Sequence, residues 1–447
     1  MRDMLLLAIC VAGALYALRR PWVGAVMSVW LSLMSPHKTF GWSAAEWPLA
    51  SLVAIATLVG VLFAREKRNP VLGPPVAALL CFAIWICITL PFSFYVDASL
   101  GLWERSMKIF LMVFVVLMLI DDKRKLQILI VTIVVSLAYF GVKGGVFTIA
   151  TGGNYRVWGP GGFIEGNNEL ALALVAVLPL LRYLQMQAVD KRLKMLATAS
   201  LVLMPATILG SHSRGALLAL ATMALFLWFK TERKAIGGIV IVVVGAVALG
   251  LMSEQWWSRM DTITEYKQDE SSLGRINAWW VAWNVATDRI TGGGFMMYRP
   301  DVMAKYAPDP TQSRAAHSIY FQVLGEHGFI GLGLFLSIGV LTWLTCRKLI
   351  QIGRAAPEEK WAADLGAMLQ VSMVGFAAGG AFLSLAYFDL PYYQMAIAVL
   401  ALTIVRQRLA QPAPAPAPAP VPSNAATAMA MARTPASRLV SKQAAPK

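Results

Sequence analysis

The sequence predicts an all-α, polytopic integral membrane protein with about 12 transmembrane helices and one long periplasmic loop containing amphipathic helices. Three observations carry the prediction. Hydrophobic residues make up 58% of the chain and charged residues 14%, with a mean hydropathy of +0.62, more apolar surface than a soluble core can hide. The apolar residues fall in helix-length runs of Leu, Val, Ile and Ala, not in the short alternating segments of a barrel. Lys and Arg cluster in alternate short connections, as they do when every second loop stays in the cytoplasm.

In chain order the runs cover roughly Met4–Leu18, Trp22–Leu33, Trp47–Phe63, Val76–Phe92, Lys108–Ile120, Leu126–Val142, Leu170–Leu181, Leu193–Leu209, Gly215–Phe229, Ala235–Met252, Ser318–Thr345, Leu365–Ala386 and Tyr392–Val405. Several are shorter than the ~20 residues that cross hydrocarbon. "LRRP" splits the first two, which make either two spans or a re-entrant hairpin. Met1–Leu18 has no small-residue cleavage site and reads as a retained helix. Residues 1–252 are thus N-terminal transmembrane helices, 253–317 a loop subdomain and 318–408 C-terminal transmembrane helices. Residues 409–447, rich in Pro and Ala, are expected to be a disordered cytoplasmic tail. Cys10, Cys81, Cys87 and Cys346 lie in apolar runs without CxxC spacing and are expected to be buried thiols. No repeat relates the spans, which disfavours a transporter built from two related halves.

The net charge of +15 raises the question of nucleic acid, but its placement in "LRRP", "REKRN", "DDKRK", "VDKRLK", "KTERK" and "CRKLIQIGR" makes it topological, with some attraction to anionic membrane lipid. No nucleic-acid partner is expected. Loops 34–46, 93–107, 143–169, 210–214, 253–317 and 387–391 then share the other face. In the longest, "GRINAWWVAWNVATDRI" reads as an amphipathic helix at the bilayer surface. Its Trp279, Trp280 and Trp283 are interfacial anchors or a platform for sugar stacking.

Ionisable groups beside apolar outer segments are candidates for function. Arg214 opens a span after "GSHS". Arg156, Glu165, Asn167 and Asn168 precede another, Arg275 follows Gly274 at the expected start of the Trp-rich helix, and Asp389 sits in a tight loop. "SRAAHSIYFQVLGEHG" contributes Arg314, His317 and Tyr320, with Tyr320 expected one helical turn from His317 on the same face. A lone arginine here could be a snorkelling anchor. Three arginines gathered with a histidine suit a phosphate-bearing ligand, because the guanidinium fork matches phosphate oxygens, and a helix start beside Arg275 would add free N–H groups. His317 can take a proton from a hydroxyl near neutral pH, or merely cap the helix starting near Ser318. Glu326 is out of phase with His317 and reads as an internal hydrogen-bond partner. His37, His212 and His327 form no zinc spacing with it, and GxxxxGK[ST] and DxD are absent, so neither a metal nor another cofactor is expected.

The Arg214 segment, the long loop with Arg275 and "GGGF", and "HSIYFQVLGEHGFIGL" entering a span resemble, over roughly 150–345, bacterial O-antigen ligases and polymerases. The N-terminal "ALRRPWVG" and "SLMSPHKTFGW" are similar to exosortase-associated O-glycosylation ligases, which favours ligase. The resemblance implies a metal-independent, inverting glycosyltransferase of lipopolysaccharide biosynthesis. Its donor would be an undecaprenyl-pyrophosphate-linked glycan and its acceptor lipid A–core, at the periplasmic face of the bacterial inner membrane. It implies that His317, Arg214 and Arg275 are essential, with Arg156, Asn168 and Asp389 matching less closely. "GNNELA" lacks the proline many relatives carry before the asparagine. A polymerase or a protein O-oligosaccharyltransferase with the same donor stays open, as does a transporter of lipid-linked or anionic solutes. Transport would call for charges at mid-membrane, whereas these lie at one face.

Overall fold

The computed structural model describes residues 1–41, 43–63, 71–230, 234–250, 252–261 and 270–410. The expected disordered tail lies almost wholly outside these residues, as does part of the long loop. Every regular element among the described residues is helical. The α-helices run in order as α1 (Arg2–Arg19), α2 (Pro21–Met34), α3 (Pro36–Phe40), α4 (Leu49–Phe63), α5 (Pro74–Thr89), α6 (Val96–Leu119), α7 (Lys123–Ala150), α8 (Asn167–Gln187) and α9 (Lys191–Gly210). They continue as α10 (Arg214–Lys230), α11 (Lys234–Gly250), α12 (Glu254–Asp261), α13 (Glu270–Asp288), α14 (Pro300–Tyr306), α15 (Ile319–Ala355), α16 (Lys360–Gly380) and α17 (Asp389–Ala410).

Among the described residues, six helical segments are long and apolar enough to cross a bilayer: Pro74–Phe92, Lys123–Ala150, Asn167–Gln187, Lys191–Gly210, Ile319–Ala355 and Pro357–Gly380. Pro21–Met34, Leu49–Phe63 and Lys234–Val243 are apolar but shorter, and at ~1.5 Å per residue they fall short of the ~30 Å hydrocarbon thickness. Pro21 at the first position of α2 keeps Arg20 out of helical geometry, so α1 ends at Arg19. The two then pack antiparallel, because Gly13 faces Met27 and Gly24 faces Ala17. α6 begins well before Lys108, and Glu104 and Lys108 pair one turn apart on its exposed surface.

The connections sort into two ends. Asn167, at the start of α8, donates to Ser211 O at 2.7 Å, Val157 N–H to Gly210 O, and Phe94 N–H to Gly293 O. At the other end of the same helices, Gln187 meets Asp364 and Lys123 lies over Trp361. Loops expected to share one membrane face therefore meet at one end of the bundle. The burial of all four cysteines does not hold: Cys10 and Cys346 are buried, but Cys81 and Cys87 are exposed on α5. A spanning helix presents apolar groups outward as well as inward, and a thiol serves either side.

α15 is broken at Gly328, whose φ of 68° and ψ of −172° no helix accommodates. The carbonyls released there find donors: Gly293 N–H to Gly325 O, Gly294 N–H to Glu326 O, and the Trp85 indole to His327 O. Glu326 is buried and accepts from the Tyr387 hydroxyl at 2.5 Å, the internal role expected of it. Gly325, Gly328 and Gly331 lie against neighbouring atoms as expected of packing glycines, whereas Gly333 faces open space.

Candidate functional site

The turn between α9 and α10 is Ser211–His212–Ser213. His212 takes φ 56° and its Nε2 meets Gly153 O at 2.8 Å, while Ser213 Oγ accepts from Ala216 N–H and caps α10. Arg214, half-buried, is the first residue of that helix. A Cβ on Gly215 would sit 3.2 Å from Phe382, just past α16. Gly379 packs on Leu172 and Ala219, and Gly380 on Ile319. The starts of α8, α10 and α15 therefore gather on the last turn of α16, which draws the Arg214 turn towards the His317 segment.

His317 stands outside α15, two residues before Ile319, with φ 44°. A β-carbon residue in that region carries strain, a feature that concentrates at working sites. It therefore does not share a helical face with Tyr320. The Tyr320 hydroxyl is turned to Ala377 O at 2.9 Å, leaving its ring as wall. Burial first, and then the charges of Arg275 and Arg314, hold the His317 imidazole below its ordinary pKa of 6.5. A neutral ring with a free lone pair is the form that accepts a proton.

Arg275 and Arg314 are adjacent because Gly274 leaves room: a Cβ there would lie 2.5 Å from Arg314 Cδ. α13 begins by Glu270, so Arg275 is more than a turn inside it, and the expected free N–H groups at a helix start do not exist at this arginine. The Trp-rich helix also differs from expectation. Trp280 and Trp283 face outward, but Trp279 stacks on Phe321 at 4.9 Å and donates to Ala316 O at 2.7 Å, bracing the residues on both sides of His317. Its other face shares a cluster with Met297, Val302 and Met303 around Val281 and Val285, so both faces are apolar. Asn277 pins the approach to His317 through both Asp309 backbone groups.

The remaining expected residues fall in two other groups. Arg156 is exposed, one residue before the Val157 bond to Gly210 at the end of α9, and Asn168 is half-buried at the start of α8. Asn167 is the buried asparagine that holds the turn carrying Arg214. Asp389 is buried, accepts from Ser32 and feels the charge of Arg105, whose guanidinium lies 3.5 Å over Phe163. Arg105 and Ser32 were not among the expected site residues, and Trp279 was expected as an anchor or a sugar platform, not as a brace. A cation in loop 93–107 meets the criterion that singled out Arg156, so Arg105 was within reach; Ser32 carried no signal.

A search of the curated proteins finds no match to the chain. Residues 1–189 match a family of unknown function (DUF5935), covering Arg105, Arg156 and Asn168. Residues 199–336 match the family described as O-antigen ligase, a span that contains Arg214, Arg275, Arg314, His317 and Tyr320. Residues 199–336 of this multi-pass membrane chain are thus the part that is similar to the O-antigen ligase family.

Proposed function

We propose that the protein is an O-antigen ligase transferring a glycan from undecaprenyl pyrophosphate to a sugar hydroxyl of lipid A–core at the periplasmic face of the inner membrane. The observation that carries this reading is His317, strained and flanked by Arg275 and Arg314 where α15 enters the bundle. His317 takes the proton of the acceptor hydroxyl as its oxygen attacks the anomeric carbon. The bond to pyrophosphate breaks, and the leaving oxygens gather charge that guanidinium forks can hold. Attack opposite the leaving group inverts the configuration. Arg214 is assigned to the same pyrophosphate, and Arg156 and Asn168 to the glycan side.

The test is incubation of the purified full chain with undecaprenyl-pyrophosphate glycan and lipid A–core, with and without chelator. Transfer is expected in both, and His317→Ala should lose roughly 10²–10⁴-fold in rate. Wild-type transfer by that variant would remove the imidazole from the mechanism. A polymerase or protein O-oligosaccharyltransferase would instead extend glycan or modify protein in the same vessel.

A further inference from the structure

At the end of the bundle away from His317, the second half of α15, the second half of α17 and the start of α5 enclose a cavity of about 420 Å³. Its walls follow from helical spacing. Leu341, Leu344 and Lys348 on α15 lie three and four residues apart, as do Val399, Leu402 and Arg406 on α17, so each helix turns one stripe towards the space. Along both stripes the apolar residues come first and the cation last, nearest the helix end. Gly73, just before α5, closes the third side, where a Cβ on it would lie 3.5 Å from the Val399 side chain. Leu344, 42% exposed, and Leu72, 79% exposed, leave one flank open. Arg347 adds a third cation to the rim. All three cations are exposed, and among the described residues no carboxylate pairs with Arg347, Lys348 or Arg406.

We propose that this cavity binds the headgroup of one anionic glycerophospholipid, phosphatidylglycerol, at the membrane face opposite the His317 segment. The inference does not depend on which glycan the chain transfers. The gradient from leucine to cation matches an amphiphile, with an acyl chain along the apolar stretch and its phosphate among two guanidinium groups and an ammonium. A free anion would leave Leu341, Val399 and Leu402 uncovered. The cations also disfavour a choline or ethanolamine head, whose own positive charge would stand beside them. Thr345 and Thr403 line the wall and donate to Leu341 O and Val399 O on their own helices, so their oxygens are left to accept. A glycerol headgroup has hydroxyls to give them, and a choline head has none. The chain's own residues 411–447 hold Arg433, Arg438, Lys442 and Lys447 but no Asp or Glu, so like charge disfavours that segment as the occupant.

The full chain would be purified, stripped of lipid in mild detergent and titrated with dioleoyl phosphatidylglycerol, the bound copies being counted by native mass spectrometry. One copy is expected to be held roughly tenfold or more tighter than dioleoyl phosphatidylcholine or phosphatidylethanolamine. Joint replacement by Arg347→Gln, Lys348→Gln and Arg406→Gln, all at exposed sites where little packing is lost, should weaken that copy by roughly tenfold or more. The control is the joint replacement Lys191→Gln, Arg192→Gln and Lys194→Gln, which removes three exposed cations from the start of α9, outside the cavity, and should leave the affinity unchanged. Equal retention of phosphatidylcholine by the wild-type chain, a comparison that needs no variant, would make the cavity an ordinary lipid slot and overturn the proposal. An equal loss in both triple variants would reduce the effect to overall charge, with the same consequence. Displacement of the lipid by soluble glycerophosphoglycerol or inorganic phosphate at matched concentration would make the ligand a free anion, and the lipid assignment would fall.

Discussion

At the scale of single residues, the proposed chemistry turns on how His317 is held. Burial and two neighbouring guanidinium groups lower its pKa, so the basic form persists below the usual histidine range and is lost only as pH falls through the depressed value. The acid limb of kcat/KM is therefore expected below pH ~6.5. Removing one positive neighbour, as in Arg314→Gln, should move that limb upward; a limb that stays in place would show that the group titrating is not His317. Arg275→Lys keeps a charge but loses the planar fork, and donor KM should rise by about tenfold, measured against purified donor. His317 stood out as a candidate because histidine is scarce in this chain and this one sits beside an apolar run. Its left-handed backbone was not legible, since that is imposed by what packs around residues 314–321. Asp389 also stood out as a candidate, but its partner Ser32 lies 357 positions away and nothing local marks it.

At the scale of elements, helix-length apolar runs were read well and helix ends poorly. "SSLGR" looked like a start because glycine usually interrupts helices, yet α13 runs through Gly274, where the missing side chain admits Arg314. Gly274→Leu should expel Arg314, raising the His317 pKa while leaving the helix intact; a pH profile like the wild type would argue against this packing. Trp279→Phe keeps the ring over Phe321 but loses the bond to Ala316 O, so it should cost about 1 kcal/mol of stability and lower kcat more than it alters donor KM. A change in KM alone would mean that the indole binds donor and does not brace the loop. Gly328→Ala places a Cβ 2.3 Å from Ile290 O at φ 68°, and the full chain should lose thermal stability by roughly 1–3 kcal/mol.

At the scale of the molecule, the alternation of basic loops anticipated which connections meet at which end, because charge placement is a property of the whole chain and needs no contact to be read. The membrane orientation can be checked with single cysteines in a background without Cys10, Cys81, Cys87 and Cys346. Ile290→Cys, at a site 71% exposed, should react with an impermeant maleimide from the periplasmic side. Val189→Cys, at a site 97% exposed, should react only after the membrane is opened. The reverse pattern would turn the site into the cell. The interruption at Gly328 lets residues 319–327 be tied separately from the long limb that follows: Gly293 and Gly294 bond the carbonyls of Gly325 and Glu326, Trp85 that of His327, and Tyr387 the Glu326 carboxyl. The short upper limb next to His317 is thus fastened to three other parts of the chain, and its placement does not depend on the lower limb alone.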